Sequence, residues 1–395
     1  MELDTYDKAV LNGEYGETKQ KMMEVLVSLG KIYDAERLIE VKSVQVSGAS
    51  YKTVGEEGLS WVNSLSGKVV VPSFLNPIGM PRLDWESLDI PSDFAKKQLE
   101  LTSAYAKLGI KLTCTCTPYY YQIVERGDHL AWSESSAVVY ANSVLGARTN
   151  REGGPSALAS ALTGKTPEYG LHIVKNRLPQ IEFHIDNPEA AKSWTNAHYG
   201  ALGIVAGAIA GNKIPLFTGI RPNRDMLKSM GAAMAASGAV ALFHVNEITP
   251  ETRFPFFKKH IEEDKRETVI IEVAEIDELF SELEPDAVAV GCPHLSKEEL
   301  ESLASLLDGR KVVMPFYVFA AEELKRGNEA LYSKILKSGA KIVPDTCMVV
   351  SPLADHKGCI MTNSGKAFTY LPSMCGSIPR LGTLEECVKV GCGEK

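Results

Sequence analysis

Two hydrophobic periods alternate along this chain. Residues 41–46 (VKSVQV) repeat every second position, as a half-buried strand does, and Ser47-Gly48-Ala49-Ser50 breaks the pattern before a helix-like run to residue 65. Residues 68–74 (KVVVPSF) predict a second strand, which ends at Asn76-Pro77-Ile78-Gly79. Helical spacing over 93–108 then leads to a strand over 110–113 and to Cys114 and Cys116. Ser133 is placed to cap a helix reaching about residue 145, with Glu134 near its positive end. The middle of the chain predicts helices over 194–210 and 226–237 and a strand over 239–244; its many glycines and alanines predict closely packed helices. The last third predicts strands over 287–290, 311–314 and 341–343. A turn at Gly291-Cys292-Pro293-His294 and a Ser296/Glu299 capping box open a helix to residue 307, and residues 320–336 are mainly helical. Strands separated by helices imply an α/β protein of several α/β/α units with mainly parallel sheets. Two to three subdomains are expected, at approximately 1–190, 191–280 and 281–395.

Composition narrows the classes of function. The chain has 395 residues, 45% of them hydrophobic and 23% charged, enough for a sizeable core, and a formal net charge of −8. An acidic balance without a basic, aromatic-rich patch excludes non-specific nucleic-acid binding. The acidic, then amphipathic start lacks the pattern of a secretory signal, and the most apolar stretch, 199–210, is too short to span a bilayer. These features predict a cytoplasmic location and no membrane partner.

The eight cysteines are the next signal. No CxxC pair occurs, so a zinc ribbon finds no support. Cys116, Cys292 and Cys347 each follow a predicted strand, as do the loops at Gly48 and Asn76. In open α/β sheets ligands bind beyond the carboxyl ends of the strands. Three thiolates suit an iron–sulfur cubane with one iron left open, the arrangement a dehydratase needs to make hydroxide a better leaving group. Each cysteine could equally be an inert core residue. Cys375, after a strand-like stretch at 367–371, competes for a ligand position. Cys114 and Cys359 look like packing, and Cys387 and Cys392 fall in a polar tail.

The segments VPSFLNPIGMPRLDW (71–85), LTCTCTPYY (112–120) and GDHLAWSESSAVVYANSVLGARTNREGGPSALASALTGKTPEYGLH (127–172) resemble the aconitase X catalytic region. GCPHLS and VPDTCMVVSPL resemble its later cluster-binding segments, so the similarity covers nearly the whole chain. The resemblance implies an aconitase-like fold lacking the swivelling domain, and a hetero-oligomer in which a small subunit supplies that domain. It implies a lyase that dehydrates (R)-5-phosphomevalonate to trans-anhydromevalonate 5-phosphate in a modified mevalonate route to isoprenoids. The same chemistry on cis-3-hydroxy-L-proline is the alternative, and a cluster-free RNA-binding regulator or an apo scaffold are remoter ones.

Carried over position by position, the resemblance implies a [4Fe-4S] cluster held by Cys116, Cys292 and Cys347. It implies substrate contacts at Gly48, Ala49, Ser50, Asn76, Pro77, Ser135, Ser136 and Lys366. The turn at Gly48–Ser50 and the helix start at Ser135–Ser136 can offer N–H groups to an anion, and Lys366 a positive charge. Read without the resemblance, they are an ordinary turn, an ordinary helix start and a solvated lysine. The main base is expected on the small subunit, a serine alkoxide in the wider group. Glu134, Arg148, His129 and His294 remain local candidates for supporting roles.

Overall fold

The computed structural model describes residues 1–394. Fourteen strands form three parallel sheets and one antiparallel pair. In the first unit, β1 (Leu38–Glu40) pairs antiparallel with β5 (Lys165–Pro167), while β2 (Ser43–Val46) lies between β3 (Ser73–Leu75) and β4 (Leu130–Trp132) in a parallel sheet. Helices α1 (Thr5–Leu11), α2 (Glu17–Ile32), α3 (Tyr51–Ser64), α4 (Ser92–Lys107), α5 (Ser135–Tyr140) and α6 (Gly154–Thr163) belong to this unit. Their apolar faces close a core that includes Met23, Leu26, Val44, Val46, Leu59, Leu75, Leu101 and Leu158.

The second unit orders β6 (Ile181–Ile185), β7 (Pro215–Phe217), β8 (His244–Val245) and β9 (Glu267–Ile271) as β8-β7-β6-β9, all parallel. Its helices are α7 (Asn196–Ala210), α8 (Arg224–Ser237), α9 (Pro255–Glu263) and α10 (Val273–Asp277). The second sheet thus begins at residue 181, within the stretch that the chain pattern grouped with the first subdomain. The third unit orders β10 (Ala287–Val290), β11 (Phe316–Ala320), β12 (Lys341–Pro344), β13 (Cys359–Thr362) and β14 (Ile378–Leu381) as β12-β11-β10-β13-β14. Helices α11 (Lys297–Leu306), α12 (Glu329–Lys337), α13 (Gly365–Cys375) and α14 (Leu384–Gly391) complete it, with cores on both faces of the sheet.

Two glycines of α7 let it nearly touch α8. A Cβ on Gly203 would fall 2.4 Å from the Met230 carbonyl oxygen, and one on Gly207 would fall 2.8 Å from Met234 Cα. No larger residue fits at either point. Helix α8 also packs against α5 of the first unit and α13 of the third, so the three units meet along these helices. No helix among the described residues is long and apolar enough to cross a membrane.

Several expected elements shift. The strand over 68–74 shrinks to Ser73–Leu75, because Val69 and Val70 donate to Leu108 and Ala161 instead of to a neighbouring strand. Residues 110–113 form one bridge, Lys111 to Phe74, before Cys114 turns into the left-handed region at φ 43°. Residues 239–244 yield only the two-residue β8. The strand expected at 311–314 begins at Phe316, and 320–336 divides into a short 3-10 turn (Glu322–Lys325) and α12. The stretch 367–371 is helical, inside α13, which bends around Pro372. These segments are short or apolar on all sides, where a strand and a buried helix have the same pattern.

Candidate functional site

Six loops at the carboxyl ends of parallel strands carry the polar groups of the site. Gly48–Ser50 follows β2, Asn76–Pro77 follows β3, and Glu134–Ser136 follows β4. Cys292 follows β10, Cys347 follows β12 and Lys366 follows β13. The first and third sheets thus direct their strand ends at one another. A direct stitch joins them: Ile78 N–H donates to the Asp345 carbonyl at 3.0 Å, and Cys347 N–H donates to the Ile78 carbonyl at 3.0 Å. Asp345 takes a positive φ of 59° to make that turn, a conformation Asp tolerates better than most residues.

At the centre lies a buried ion pair. The ammonium of Lys366 donates to a carboxylate oxygen of Glu134, and to Ser136 Oγ at 3.3 Å. The other Glu134 oxygen accepts from Asn76 Nδ2 at 2.7 Å. Asn76 is oriented in turn by Gln45, whose Nε2 reaches its Oδ1 at 3.3 Å and the Thr115 carbonyl at 2.9 Å. Burial alone would raise the Glu134 pKa, but Lys366, Asn76 and the Ser136 N–H outweigh it and hold the carboxyl at about 2. Lys366 is only 5% exposed. Burial disfavours its charge, but Glu134 and the three cysteines beside it raise its pKa, so it stays protonated. The Lys366 charge also sits in the first turn of α13, the helix end that attracts anions.

Ser133 does not cap the helix. Its hydroxyl donates to the Gln45 carbonyl at 2.8 Å, and the N-cap position falls to Glu134, whose side chain turns to Lys366. The helix itself is α-helical to Tyr140 and continues as a π-turn over Ala141–Leu145.

Cys116 is buried, and Cys292 and Cys347 are partly so. Their sulfurs are enclosed closely enough that desolvation raises all three thiols, Cys292 to about 12, while Lys366 pulls each of them back down. Hence all three lie within electrostatic reach of one ammonium. The His294 N–H donates to Cys116 Sγ at 3.2 Å, and the Val350 N–H donates to the Cys347 carbonyl at 3.3 Å. Cys375 borders the same core as Cys292 and Cys347. It ends α13, packs in the core behind the third sheet, and its Sγ donates to the Val349 carbonyl at 3.5 Å. Cys114 is a core residue of the first unit and Cys359 is buried on β13. Cys387 is fully buried on α14 and Cys392 packs beside it, which corrects the polar tail expected from the sequence.

The turn at Gly48–Ser50 is built as a cradle. Gly48 has φ 77°, a region open to glycine, and its carbonyl accepts from Tyr105 OH at 3.1 Å. Gln98, on α4, ties the turn down: its Oε1 accepts from Tyr51 N and Gly79 N, and its Nε2 donates to the Ala49 carbonyl. Ser50 Oγ donates to the Val350 carbonyl at 2.8 Å and so joins the turn to the Cys347 loop. Among the described residues, the N–H groups of Gly48, Ala49 and Ser50 have no backbone acceptor. Gln45 and Gln98 escape a sequence reading focused on charge and sulfur. Gln98 is a polar side chain among the apolar Ala95, Leu101 and Tyr105 of its helix, which is the signal that could have found it, while Gln45 shares its strand face with Ser43.

His129 and Arg148 do not join this site. They bridge at the start of β4, the end opposite Glu134, and His129 Nδ1 faces His172 Nδ1 at 3.0 Å. His294 does join it. Its Nε2 lies 2.9 Å from the Thr346 carbonyl and its Nδ1 3.2 Å from Thr115 Oγ1, and burial lowers its pKa to about 4, so it is neutral.

Three family profiles match in succession: the aconitase X first domain over residues 1–175, the second domain over 179–281 and the third over 285–393. This chain belongs to the aconitase X family. The family's fold agrees with a solved structure, Thermococcus kodakaraensis aconitase X in its holo-form, at a TM-score of 0.89 and 41% identity, covering 98% of this chain and 99% of that one. A Methanosarcina mazei protein named phosphomevalonate dehydratase large subunit is 49% identical over 100% of this chain and 98% of its own length. A Hypocrea jecorina protein named cis-3-hydroxy-L-proline dehydratase is 33% identical over 99% of this chain but only 69% of its own length.

Proposed function

We propose that this aconitase X chain is the large subunit of an iron–sulfur hydro-lyase that dehydrates (R)-5-phosphomevalonate. The observation that carries the reading is the convergence of three thiols and the Lys366–Glu134 pair at opposed strand ends. Identity favours phosphomevalonate over hydroxyproline, since the 49% identical relative carries the first name and the 33% identical one the second.

The donor set, three thiols on three separate loops, fits an iron–sulfur cluster by its chemistry, since a cubane takes one thiolate per iron. Cys116, Cys292 and Cys347 would hold it, a [4Fe-4S] cluster in this reading, with the His294 N–H supporting the sulfur charge at Cys116. When bound, the cluster supplies an iron without a protein thiolate, a Lewis acid for the departing hydroxyl.

The chain's own residues then bind and orient. Lys366 and the α13 start attract a carboxylate or phosphate, and Glu134 and Asn76 fix the ammonium in place. Ser135 and Ser136 line the same approach, and Gly48–Ser50 offers unpaired N–H groups to a second anionic end. Glu134 is not the main base: at a pKa of about 2 it is too weak a proton acceptor near neutral pH. That proton falls to a group on a small swivelling subunit, whose arrival also excludes water. The relative's printed name, a large subunit, supports such a partner.

The test is anaerobic co-expression with a small-subunit partner, followed by turnover of phosphomevalonate, mevalonate and cis-3-hydroxy-L-proline. Phosphomevalonate alone should be an efficient substrate. Equal turnover of mevalonate or hydroxyproline overturns the substrate, and full turnover by this chain without a partner overturns the placement of the base.

A further inference from the structure

His294 is 1% exposed, and its two ring nitrogens face two different cysteine loops. It stands two residues after Cys292. Its Nε2 lies 2.9 Å from the carbonyl of Thr346, the residue before Cys347. A carbonyl only accepts, so Nε2 carries the proton and Nδ1 is bare. The bare Nδ1 lies 3.2 Å from Oγ1 of Thr115, the residue before Cys116, and takes that hydroxyl's proton as a hydrogen bond. Thr115 Oγ1 is held by Thr117 N–H at 3.1 Å and by the Thr117 hydroxyl at 3.0 Å. The His294 backbone N–H donates to Cys116 Sγ at 3.2 Å, and its carbonyl accepts from Lys228 Nζ at 3.3 Å. Lys228 is itself buried against Glu299 of α11 and Asp225 of α8.

We propose that the His294 side chain is the latch that sets the three cysteine loops at a common spacing, a positioning residue for cluster capture and retention. This rests on the reading that Cys116, Cys292 and Cys347 hold the cluster. The Cys292 and Cys347 loops leave two strands of the third sheet, the Cys116 loop follows the Lys111–Phe74 bridge beside the first, and no covalent link joins them. Few side chains have a donor and an acceptor on a rigid ring that can bridge two loops while anchored in the third. A histidine kept only to fill space would not need both ring nitrogens paired to residues adjacent to cysteines. Metal sites lose affinity roughly 10–100-fold when such supporting hydrogen bonds go.

Three variants separate the readings. His294→Phe keeps an aromatic ring and removes both bonds; His294→Gln retains a donor that reaches Thr346; His172→Phe alters a buried histidine of the first unit that makes no contact with these loops. Each full-length chain is reconstituted anaerobically with iron and sulfide, and the rate of iron loss to a chelator is followed by the visible absorption of the cluster. Loss from His294→Phe should be at least about tenfold faster than from the native chain. His294→Gln should recover most of that difference, and His172→Phe should match the native rate. In parallel, alkylation of Cys116 and Cys347 is timed in the iron-free chains, where His294→Phe should react faster than the native protein. Native retention and native alkylation rates in His294→Phe overturn the latch. If the native chain takes up no iron, the cluster reading fails, while the alkylation comparison still decides whether His294 holds the loops.

Discussion

Glu134→Gln tests the electrostatic core of the site most directly. The carboxylate accepts from the Lys366 ammonium, from Asn76 Nδ2 at 2.7 Å, and from the Ser135 and Ser136 hydroxyls at 3.3 and 3.4 Å. A glutamine there has one acceptor and one donor group. If its oxygen stays with Asn76, its NH2 faces an ammonium, donor against donor. If it turns round, it faces the Asn76 NH2 instead. Either way a buried charge loses its partner, a change that costs about 3–5 kcal/mol when one member of a buried pair is removed. The pair joins α5 to α13, so the loss should appear in the local opening of those helices. Native-state amide exchange should speed up there by roughly two to four powers of ten, with α1 and α14 unaffected. Lys366→Met should do the same by stranding Glu134. The Glu134→Gln, Lys366→Met double variant should open far less than the two single effects combined, because no stranded charge remains. Strictly additive effects would refute the pairing. Acid should mimic the mutation. The carboxyl is held at about 2 in the folded chain against an ordinary 4.5, so its stabilisation is complete above about pH 4.5 and is lost as pH falls toward about 2. Exchange in α5 and α13 should therefore accelerate on acidification in the native chain and much less in the double variant.

Anaerobically reconstituted Cys116→Ser, Cys292→Ser and Cys347→Ser chains should each lose most of their iron, whereas Cys375→Ser and Cys387→Ser should keep it; a fully loaded Cys347→Ser chain would sink the ligand set. Lys366→Ala should lower kcat/KM for phosphomevalonate by at least about tenfold, the value of a charge-assisted hydrogen bond, and an unchanged ratio would remove Lys366 from substrate binding. Gly203→Val should destabilise the α7–α8 crossing by about 1–3 kcal/mol or more, since its side chain meets the Met230 carbonyl; a native melting curve would show that the helices can part without cost.

Much of the architecture is local and therefore legible along the chain. Strand runs such as 41–46 and 287–290, the Ser296/Glu299 capping box, and the Gly/Ala-rich helices all depend on neighbours within a turn or two. The family resemblance could also be read there, because whole segments carry it. What escaped is non-local. A strand and a buried helix turn share an apolar pattern, so 367–371 reads as a strand along the chain while packing makes it part of α13. The tail cysteine Cys387 looked solvated because no local feature tells which face of α14 the third sheet covers.

The site divides the same way. Strand-end position and residue chemistry named three thiols and the loops at Gly48 and Asn76 as candidates, and the family resemblance added Lys366 and the Ser135–Ser136 helix start. Neither could tell Glu134 from an ordinary helix cap, nor His129 from His294. Glu134 becomes the partner of Lys366 only because two sheets direct their strand ends at each other across 232 residues of chain. His129 and Glu134 stand five residues apart, yet at opposite ends of β4, and only one end meets the third unit. Sequence sets which groups a residue can offer. The long-range packing of α5, α8 and α13 decides which of them meet away from water, and there a single buried charge is costly enough to select its partner.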